Sequence, residues 1–323
     1  DGRCLFNHHG FEHRDLSGRD DPRATLVETI NPTVGEQGNQ TLMKKPQKPS
    51  REMKTKIRPA GWQILAVALF LFYMLLPIVS TYVFSVATRW DRTILPEGYT
   101  LDFYLRAFQT SYFVITLRNS LILSVATILV SLIVIVPTVY WVHTRLAGFK
   151  PLLDVLMILP FGIPTVVLAL ALVQVYNVPP LARSPILLIG AVVVYSMPFM
   201  YRPVSNAMQA IDALTLTEAG QSLGANVFQV LSKIIIPNIL PGILSGSLLV
   251  FSTVFAEYTL TSLIVGAKFK TFPLLLVEYT RINGNIAAAF SVVSFTIAWL
   301  VSILILWVGT KGQDGAAETR QAR

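Results

Sequence analysis

Residues 119–142 read NSLILSVATILVSLIVIVPTVYWV, an apolar run without a charged side chain, between Arg118 and Arg145. A helix needs about 20 apolar residues to cross the roughly 30 Å hydrocarbon core of a bilayer. The run is continuously apolar instead of alternating, which favours a membrane-spanning helix over a strand of a β-barrel. It therefore predicts that the chain crosses a membrane.

Similar runs recur along the chain, which is 53% hydrophobic and only 14% charged. Ordinary soluble domains carry about 25% charged residues. The six candidate spans lie between Arg58 and Arg89, Arg118 and Arg145, Asp154 and Arg183, Arg183 and Arg202, Pro237 and about Val265, and Arg281 and Lys311. We expect an all-α polytopic membrane protein with six transmembrane helices. Five prolines lie within these runs: Pro77, Pro137, Pro160, Pro164 and Pro198. They indicate either packing kinks or broken helices that line a pathway.

Seven lysines and arginines between Lys44 and Arg58 precede the first run directly. Basic residues in that position are typical of a cytoplasmic flank. With this flank inside, both termini and the segment around residues 212–233 are cytoplasmic. No aromatic-interleaved basic face accompanies the net charge of +8, so we expect no nucleic-acid partner.

The polar N-terminal part, residues 1–58, differs from the rest of the chain. Residues 1–42 are either a disordered tail or translated sequence upstream of a start at Met43. Cys4, His8, His9 and His13 do not follow a usual zinc spacing, so we expect no metal and no cofactor. We assign residues 59–310 to the membrane domain and 311–323 to a cytoplasmic tail.

The segment between the fourth and fifth runs contains TLTEAGQSLGAN at residues 215–226. Thr215 and Glu218 have the spacing of a capping box, which predicts that a short helix starts at Thr215. Gly224 is placed to end that helix in a left-handed cap. We expect Leu216, Ala219, Gly220 and Leu223 to form one small apolar face, suited to a groove on a soluble partner.

A second short helix is predicted after the first one. Asn226 can cap a helix over residues 227–235, and Pro237 is expected to close it. The predicted unit is thus two short helices outside the membrane.

This segment resembles the "EAA loop" of the permease subunits of ABC importers. That motif has Glu-Ala-Ala, three residues, Gly, nine residues, and then Ile-x-Leu-Pro. The chain has Glu218-Ala219-Gly220, then Gly224, then Ile234 to Pro237 at the same spacing. It departs from the motif at Gly220, where the motif has alanine, and at Ile236, where it has leucine.

Flanking matches extend the resemblance over residues 117–308. They are Asn119-Ser120-Leu121, Leu159-Pro160-Phe161-Gly162-Ile163-Pro164 and Pro241-Gly242-Ile243. Residues 255–278 resemble the permeases for spermidine/putrescine, ferric iron and phosphonates, so a polyamine or an aminophosphonate is the expected class of solute.

The resemblance implies a division of labour. Two permease subunits form the path, identical or different, and two cytoplasmic ATPases receive the coupling helices. An extracytoplasmic solute-binding protein delivers the solute. The residues implied in coupling are Thr215, Glu218, Ala219, Gly220, Leu223, Gly224 and Pro237. The chain has no Gly-x-x-x-x-Gly-Lys-Ser/Thr motif, so we expect a non-catalytic subunit of the bacterial inner membrane, surrounded by lipid.

Glu257 is the acidic residue placed most clearly inside a predicted span. A charged side chain there costs free energy, so its presence favours a functional role. It is either a contact for a cationic solute or a structural carboxylate paired within the bundle. Tyr258, Asn119 and Ser120 are further candidates for the pathway. An ion-coupled secondary transporter is the alternative function, but it would need no docking helix. An intramembrane enzyme would need a nucleophile and base, or a metal motif, at membrane depth.

Overall fold

The structure is a computed structural model that describes residues 61–90 and 94–321, with side chains as far as Trp307. Among these residues the only β-structure is an isolated antiparallel bridge between Ala87 and Tyr99. The helices are α1 (Gly61–Val86), α2 (Asp102–Gln109), α3 (Phe113–Thr144), α4 (Lys150–Ile158), α5 (Thr165–Val175), α6 (Pro185–Ala210), α7 (Ala213–Ser222), α8 (Val227–Val230), α9 (Ile236–Asn238), α10 (Leu240–Phe255), α11 (Thr259–Ile264), α12 (Phe272–Thr280) and α13 (Gly284–Gln321). Turns of 3₁₀-helix occupy Ala147–Phe149, Leu159–Gly162 and Gly266–Phe269, and a π-helical turn occupies Leu231–Ile235.

Four helices are long and apolar enough to cross a membrane unbroken: α1, α3, α6 and α13 over Gly284–Trp307. Two bent pairs bring the number to six when each pair is counted as one span. The prediction of an all-α polytopic membrane protein is confirmed. The fourth span is longer than expected, because α6 continues past Arg202 to Ala210.

The third and fifth spans are broken. Ala147–Gly162 and α5 meet at an angle of 95°, at a break formed by Ile163 and Pro164. Proline has no backbone N–H and disfavours a helical residue before it, which explains the break at this point. Pro77, Pro137 and Pro198 lie inside continuous helices instead.

The centre of the bundle is formed by α3, α6 and α10. A row of small polar residues on α3 is buried there, and it comprises Ser120, Ser124, Thr127 and Ser131. On α10, a Cβ added to Gly242 would lie 2.6 Å from the carbonyl oxygen of Pro203 on α6. Small residues thus let these helices approach closely, as is usual between membrane helices.

A second apolar cluster closes one end of the bundle. Its buried side chains come from α2, α3, α12 and α13, with Phe113, Phe272 and Phe290 in mutual ring contact. α1 packs mainly on α13, and its most apolar stretch buries no side chain. α13 remains helical to Gln321, through the segment assigned to a separate tail. The N-terminal residues 1–58 lie outside the described residues.

Candidate functional site

The segment between α6 and α10 is a folded unit made of α7, α8, the π-helical turn and α9. It leaves α6 at Ala210 and enters α10 at Leu240, so it stands at one end of both spans. α7 packs on α3, on α8 and on the π-helical turn. The predicted position of short helices between the fourth and fifth spans agrees with this arrangement.

The start of α7 differs from the prediction. Asp212 is the N-cap in a left-handed conformation (φ 46°), and its carboxylate accepts hydrogen bonds from the Thr215 hydroxyl (2.8 Å) and the Thr215 N–H (3.5 Å). Thr215 is therefore the third helical residue, and Glu218 lies inside the helix with an exposed side chain. The predicted Thr215–Glu218 capping box is wrong, because an aspartate three residues earlier caps as well as a threonine does.

The end of α7 follows the prediction. Gly224 has φ 83°, and its N–H donates to the Gln221 carbonyl (2.9 Å), while the Ala225 N–H donates to that of Gly220 (3.1 Å). These two bonds define a Schellman motif, which satisfies carbonyls that the helix end would otherwise leave unpaired. Gly224 is thus the left-handed cap that the sequence predicts.

The second short helix begins as predicted but ends later. Asn226 and Gln229 each accept a hydrogen bond from the other's backbone N–H, at 2.8 and 2.9 Å, which is a complete capping box. Pro237, however, lies inside α9 and does not close the helix. The helical path continues through the π-helical turn to Asn238, and the 74° bend follows at Ile239. Pro237 has no N–H to donate to this continuous path, and it directly follows the π-helical turn, where the Ile236 N–H donates to the Leu231 carbonyl five residues earlier.

The face of α7 predicted for docking is divided between two sides. A Cβ on Gly220 would lie 2.9 Å from Cδ1 of Ile234 and 3.1 Å from Cγ2 of Val230, so Gly220 faces the second helix. Leu216 also packs inward, while Ala219 and Leu223 are exposed. The single face expected from Leu216, Ala219, Gly220 and Leu223 is wrong, because the second helix covers half of it.

The exposed side carries two large apolar side chains. Leu223 is 90% exposed and Phe228, in α8, is 76% exposed. Leu223 is one of the predicted coupling residues, whereas Phe228 is not. The signal was present, because Val227, Val230, Leu231 and Ile234 have the spacing of one helical stripe and Phe228 lies off it.

Hydrogen bonds connect this unit and its surroundings to the spans. Thr217 on α7 is buried, with its hydroxyl oxygen 3.3 Å from that of Tyr140 on α3. On the neighbouring α6, the Tyr201 hydroxyl donates to the Asp154 carboxylate of α4 at 2.6 Å. α7 therefore has a direct polar contact with α3, through which its movement can reach that span. The second bond holds α4 on α6.

The pathway candidates fall into two groups. Glu257 and Tyr258 lie in the break between α10 and α11, where the Glu257 carboxylate accepts a hydrogen bond from the Leu260 N–H at 2.7 Å. Tyr258 lines an open groove of about 520 Å³ together with Lys270, Glu278 and Arg281. Lys270 and Glu278 form an ion pair in it.

Asn119 and Ser120 are buried on α3 and bind backbone groups. The Asn119 amide donates to the Lys270 carbonyl (2.9 Å), and the Ser120 hydroxyl accepts from the Phe272 N–H (2.8 Å). Both side chains thereby fix the start of α12 against α3. The histidines and the cysteine near the N-terminus lie outside the described residues, and the described part holds no group of three or more potential metal ligands.

Comparison with known proteins gives a consistent result. Residues 146–311 match the family described as "Binding-protein-dependent transport system inner membrane component". The spermidine/putrescine transport system permease protein PotB of Escherichia coli is 27% identical over 76% of this chain and 93% of that protein. The probable ABC transporter permease protein y4fN of Sinorhizobium fredii is 24% identical over 75% of this chain. The match covers 43% of y4fN, which is the longer protein.

The fold has counterparts among solved structures. One chain of a bacterial ABC transporter involved in the import of the acidic polysaccharide alginate superimposes with a TM-score of 0.58. The match covers 77% of this chain and 96% of that chain at 16% sequence identity. At this identity the likeness concerns the fold.

Proposed function

The chain belongs to the family of binding-protein-dependent transport system inner membrane components, the permease subunits of ABC importers, and from this premise we propose that α7 and α8 couple it to a separate ATPase. The chain forms half of the membrane pathway, and a second permease subunit forms the other half. A solute-binding protein delivers the solute on the outer side. Binding and hydrolysis of ATP on the ATPase pair drive alternating access.

One observation carries this proposal: the exposure of Leu223 and Phe228 on a folded unit outside the spans. Large apolar side chains exposed together on a surface outside the spans are typical of an interaction site. Glu218 and Ala219 are exposed on the same unit, so the surface offers apolar anchors and one acid. The Schellman motif and the capping box fix both short helices, which lowers the entropic cost of binding a partner.

Movement of the docked unit has a route into the membrane. Thr217 contacts α3, and the helical path of α8 and α9 runs through Ile239 directly into α10. α3 and α10 both belong to the centre of the bundle. A displacement of α7 and α8 by the ATPase pair is therefore transmitted to helices that line the centre.

For the solute we propose a small polar molecule of the polyamine or aminophosphonate type. The similarity to PotB over most of both chains supports a polyamine. Glu257 and Tyr258 are the proposed contacts, because Asn119 and Ser120 already bind backbone groups of residues 270–272. The orientation we propose has both termini in the cytoplasm and the groove beside Tyr258 on the outside.

The test is reconstitution of the permease with the ATPase, second permease subunit and solute-binding protein of its own transport system. We expect Phe228→Ser to abolish recovery of the ATPase on the permease, and Phe228→Leu to retain it, because leucine keeps an apolar anchor. Full recovery of the ATPase with Phe228→Ser combined with Leu223→Ser would refute this docking surface. Uptake of labelled spermidine, with an aminophosphonate and sulfate as competitors, tests the solute separately.

A further inference from the structure

α2 has an exposed apolar side that no other described element covers. Leu105 and Phe108, with Leu101 at the N-cap, have the spacing of one helical stripe and are 53–67% exposed. A second side, about 120° around the helix, packs inward through Phe103, Tyr104 and the fully buried Ala107. α2 is therefore apolar on two sides, and only one of them packs on other described residues.

The remaining side of α2 is polar. Asp102 and Arg106 form an ion pair of 2.6 Å one turn apart, and both side chains are about half exposed. Gln109 at the end of the helix is exposed as well. An eight-residue helix with a packed side, an exposed apolar side and a polar side suits a boundary between an apolar phase and water.

The position of α2 along the bundle places it at such a boundary. The Tyr104 hydroxyl lies 2.7 Å from that of Ser85, the second-last residue of α1. Ala107 packs in the cluster of Ile286, Ala289 and Phe290 on α13, which begins at Gly284. At a rise of 1.5 Å per residue, these contacts lie about 2 Å from the end of α1 and about 3–9 Å from the start of α13.

We propose that α2 lies in the plane of the outer leaflet, with Leu101, Leu105 and Phe108 among the phospholipid acyl chains. Interfacial helices bury their apolar face about 5–10 Å deep, which matches the level of α2 on α1 and α13. Tyr104, on the packed side of α2, joins this helix to α1, and the most apolar stretch of α1 buries no side chain. The stripe therefore belongs to a helix that is fixed beside a long exposed apolar surface.

A charged residue nearby fits the same depth. Arg118 is exposed on α3, five residues beyond its start at Phe113, or about 8 Å along the helix. At that depth a long arginine side chain can extend to the headgroup phosphates while its methylenes remain in the apolar layer. Tyr112, exposed between α2 and α3, suits the interfacial belt of aromatic residues.

The consequence is that the outer ends of α1 and α13 are fixed to the membrane surface through α2. These two spans then serve as a lipid-anchored rim, against which the central helices α3, α6 and α10 move. The choice of the outer leaflet rests on the orientation in the proposed function, whereas the interfacial position of α2 holds for any solute and any ATPase.

The experiment is spin labelling of the complete transporter in phospholipid vesicles. The single native cysteine is replaced (Cys4→Ser), and one cysteine is introduced by Leu105→Cys, Phe108→Cys or Gln109→Cys. We expect labels at 105 and 108 to be severalfold more accessible to oxygen, which partitions into lipid, than to a water-soluble nickel chelate. The label at 109 should show the opposite preference. A label introduced by Leu101→Cys, before the helix, reports on the same stripe if a label within α2 disturbs folding.

Two results would overturn the proposal. Access of the nickel chelate to both 105 and 108 would place the stripe in water, as a surface for a soluble partner. Protection of both positions from oxygen and from nickel would mean that the second permease subunit covers them. Removal of the solute-binding protein should leave the lipid pattern unchanged.

Discussion

The hydroxyl oxygens of Thr217 and Tyr140 lie 3.3 Å apart in a buried contact between residues 77 positions apart in the sequence. Thr217 stands in the middle of α7 and also donates to the Ala213 carbonyl at 2.7 Å. Tyr140 lies on the last turns of α3 and is almost fully buried. The contact therefore joins the proposed coupling helix to a central span.

Tyr140→Phe should weaken coupling without unfolding the protein. The ring keeps its packing, and Thr217 retains its bond to Ala213, so the cost in stability should be about 1 kcal/mol. We expect fewer solute molecules imported per ATP hydrolysed, measured in vesicles that contain the complete transporter. Tyr73→Phe on the exposed surface of α1 is the control. A wild-type ratio in Tyr140→Phe would mean that the contact serves packing alone.

Substitutions at Gly220 and at Gly224 should both impair binding of the ATPase, but for different physical reasons. Gly220→Leu forces a side chain against Val230 and Ile234, and overpacking of this kind costs about 1–3 kcal/mol. We expect the unit of α7 and α8 to loosen, which limited proteolysis of the purified permease would detect. Loss of ATPase binding with unchanged protease resistance would show that Gly220 touches the partner directly.

At Gly224, an added Cβ would meet no described atom within 4 Å, so only the backbone conformation resists substitution. A β-branched residue at φ 83° is strained, whereas asparagine tolerates the left-handed region. Gly224→Val should therefore lower recovery of the ATPase much more than Gly224→Asn. Equal recovery with both variants would contradict a role for the cap.

Local patterns in the sequence predicted the spans, the cap at Gly224 and the cap at Asn226, because apolar length and cap residues act over a few positions. The side to which Gly220 faces depends on packing against Val230 and Ile234. The residue at which α7 starts depends on the left-handed backbone of Asp212. The bends of 95° and 74° depend on how neighbouring helices pack around Pro164 and Ile239. Tertiary contacts of this kind leave no periodic signal, although Phe228 could have been found from its position off the apolar stripe.

Glu257 has a cap role that can be separated from its charge. Glu257→Gln keeps an oxygen that accepts from the Leu260 N–H, whereas Glu257→Ala removes it and should cost about 1 kcal/mol. For a cationic solute we expect Glu257→Gln to reduce uptake at wild-type thermal stability. Wild-type uptake in Glu257→Gln would leave the carboxylate as a cap only. It would also favour an anionic solute, which suits Lys270 and Arg281 in the adjacent groove.

The proposed orientation predicts which surfaces a membrane-impermeant thiol reagent can reach. With Cys4 replaced, a cysteine introduced by Lys268→Cys should react in intact cells, because Lys268 is exposed beside the outer groove. One introduced by Ser222→Cys on α7 should react only after the membrane is permeabilised. The reverse pattern would invert the topology and place α7 away from the ATPase.

The bond between Tyr201 and Asp154 should hold α4, one arm of the broken third span, on α6. At 2.6 Å, a hydroxyl that donates to a carboxylate is a charge-assisted bond, worth about 1.5–3 kcal/mol. α4 and α5 diverge by 95° at Pro164, so α4 depends on lateral contacts such as this one for its position. Tyr201→Phe and Asp154→Ala should each free α4 and raise ATP hydrolysis in the absence of solute, while import falls. Asp154→Asn retains an acceptor and should be milder.

The double variant of Tyr201 and Asp154 separates this bond from other effects of the two changes. It should be no worse than the more affected single variant, because both changes remove the same bond. Tyr195→Phe, on the same helix as Tyr201, is the control, since the Tyr195 ring packs on Phe161 and phenylalanine keeps that contact. Additive effects of the two changes would show that Tyr201 and Asp154 act separately and that α4 is held by other contacts.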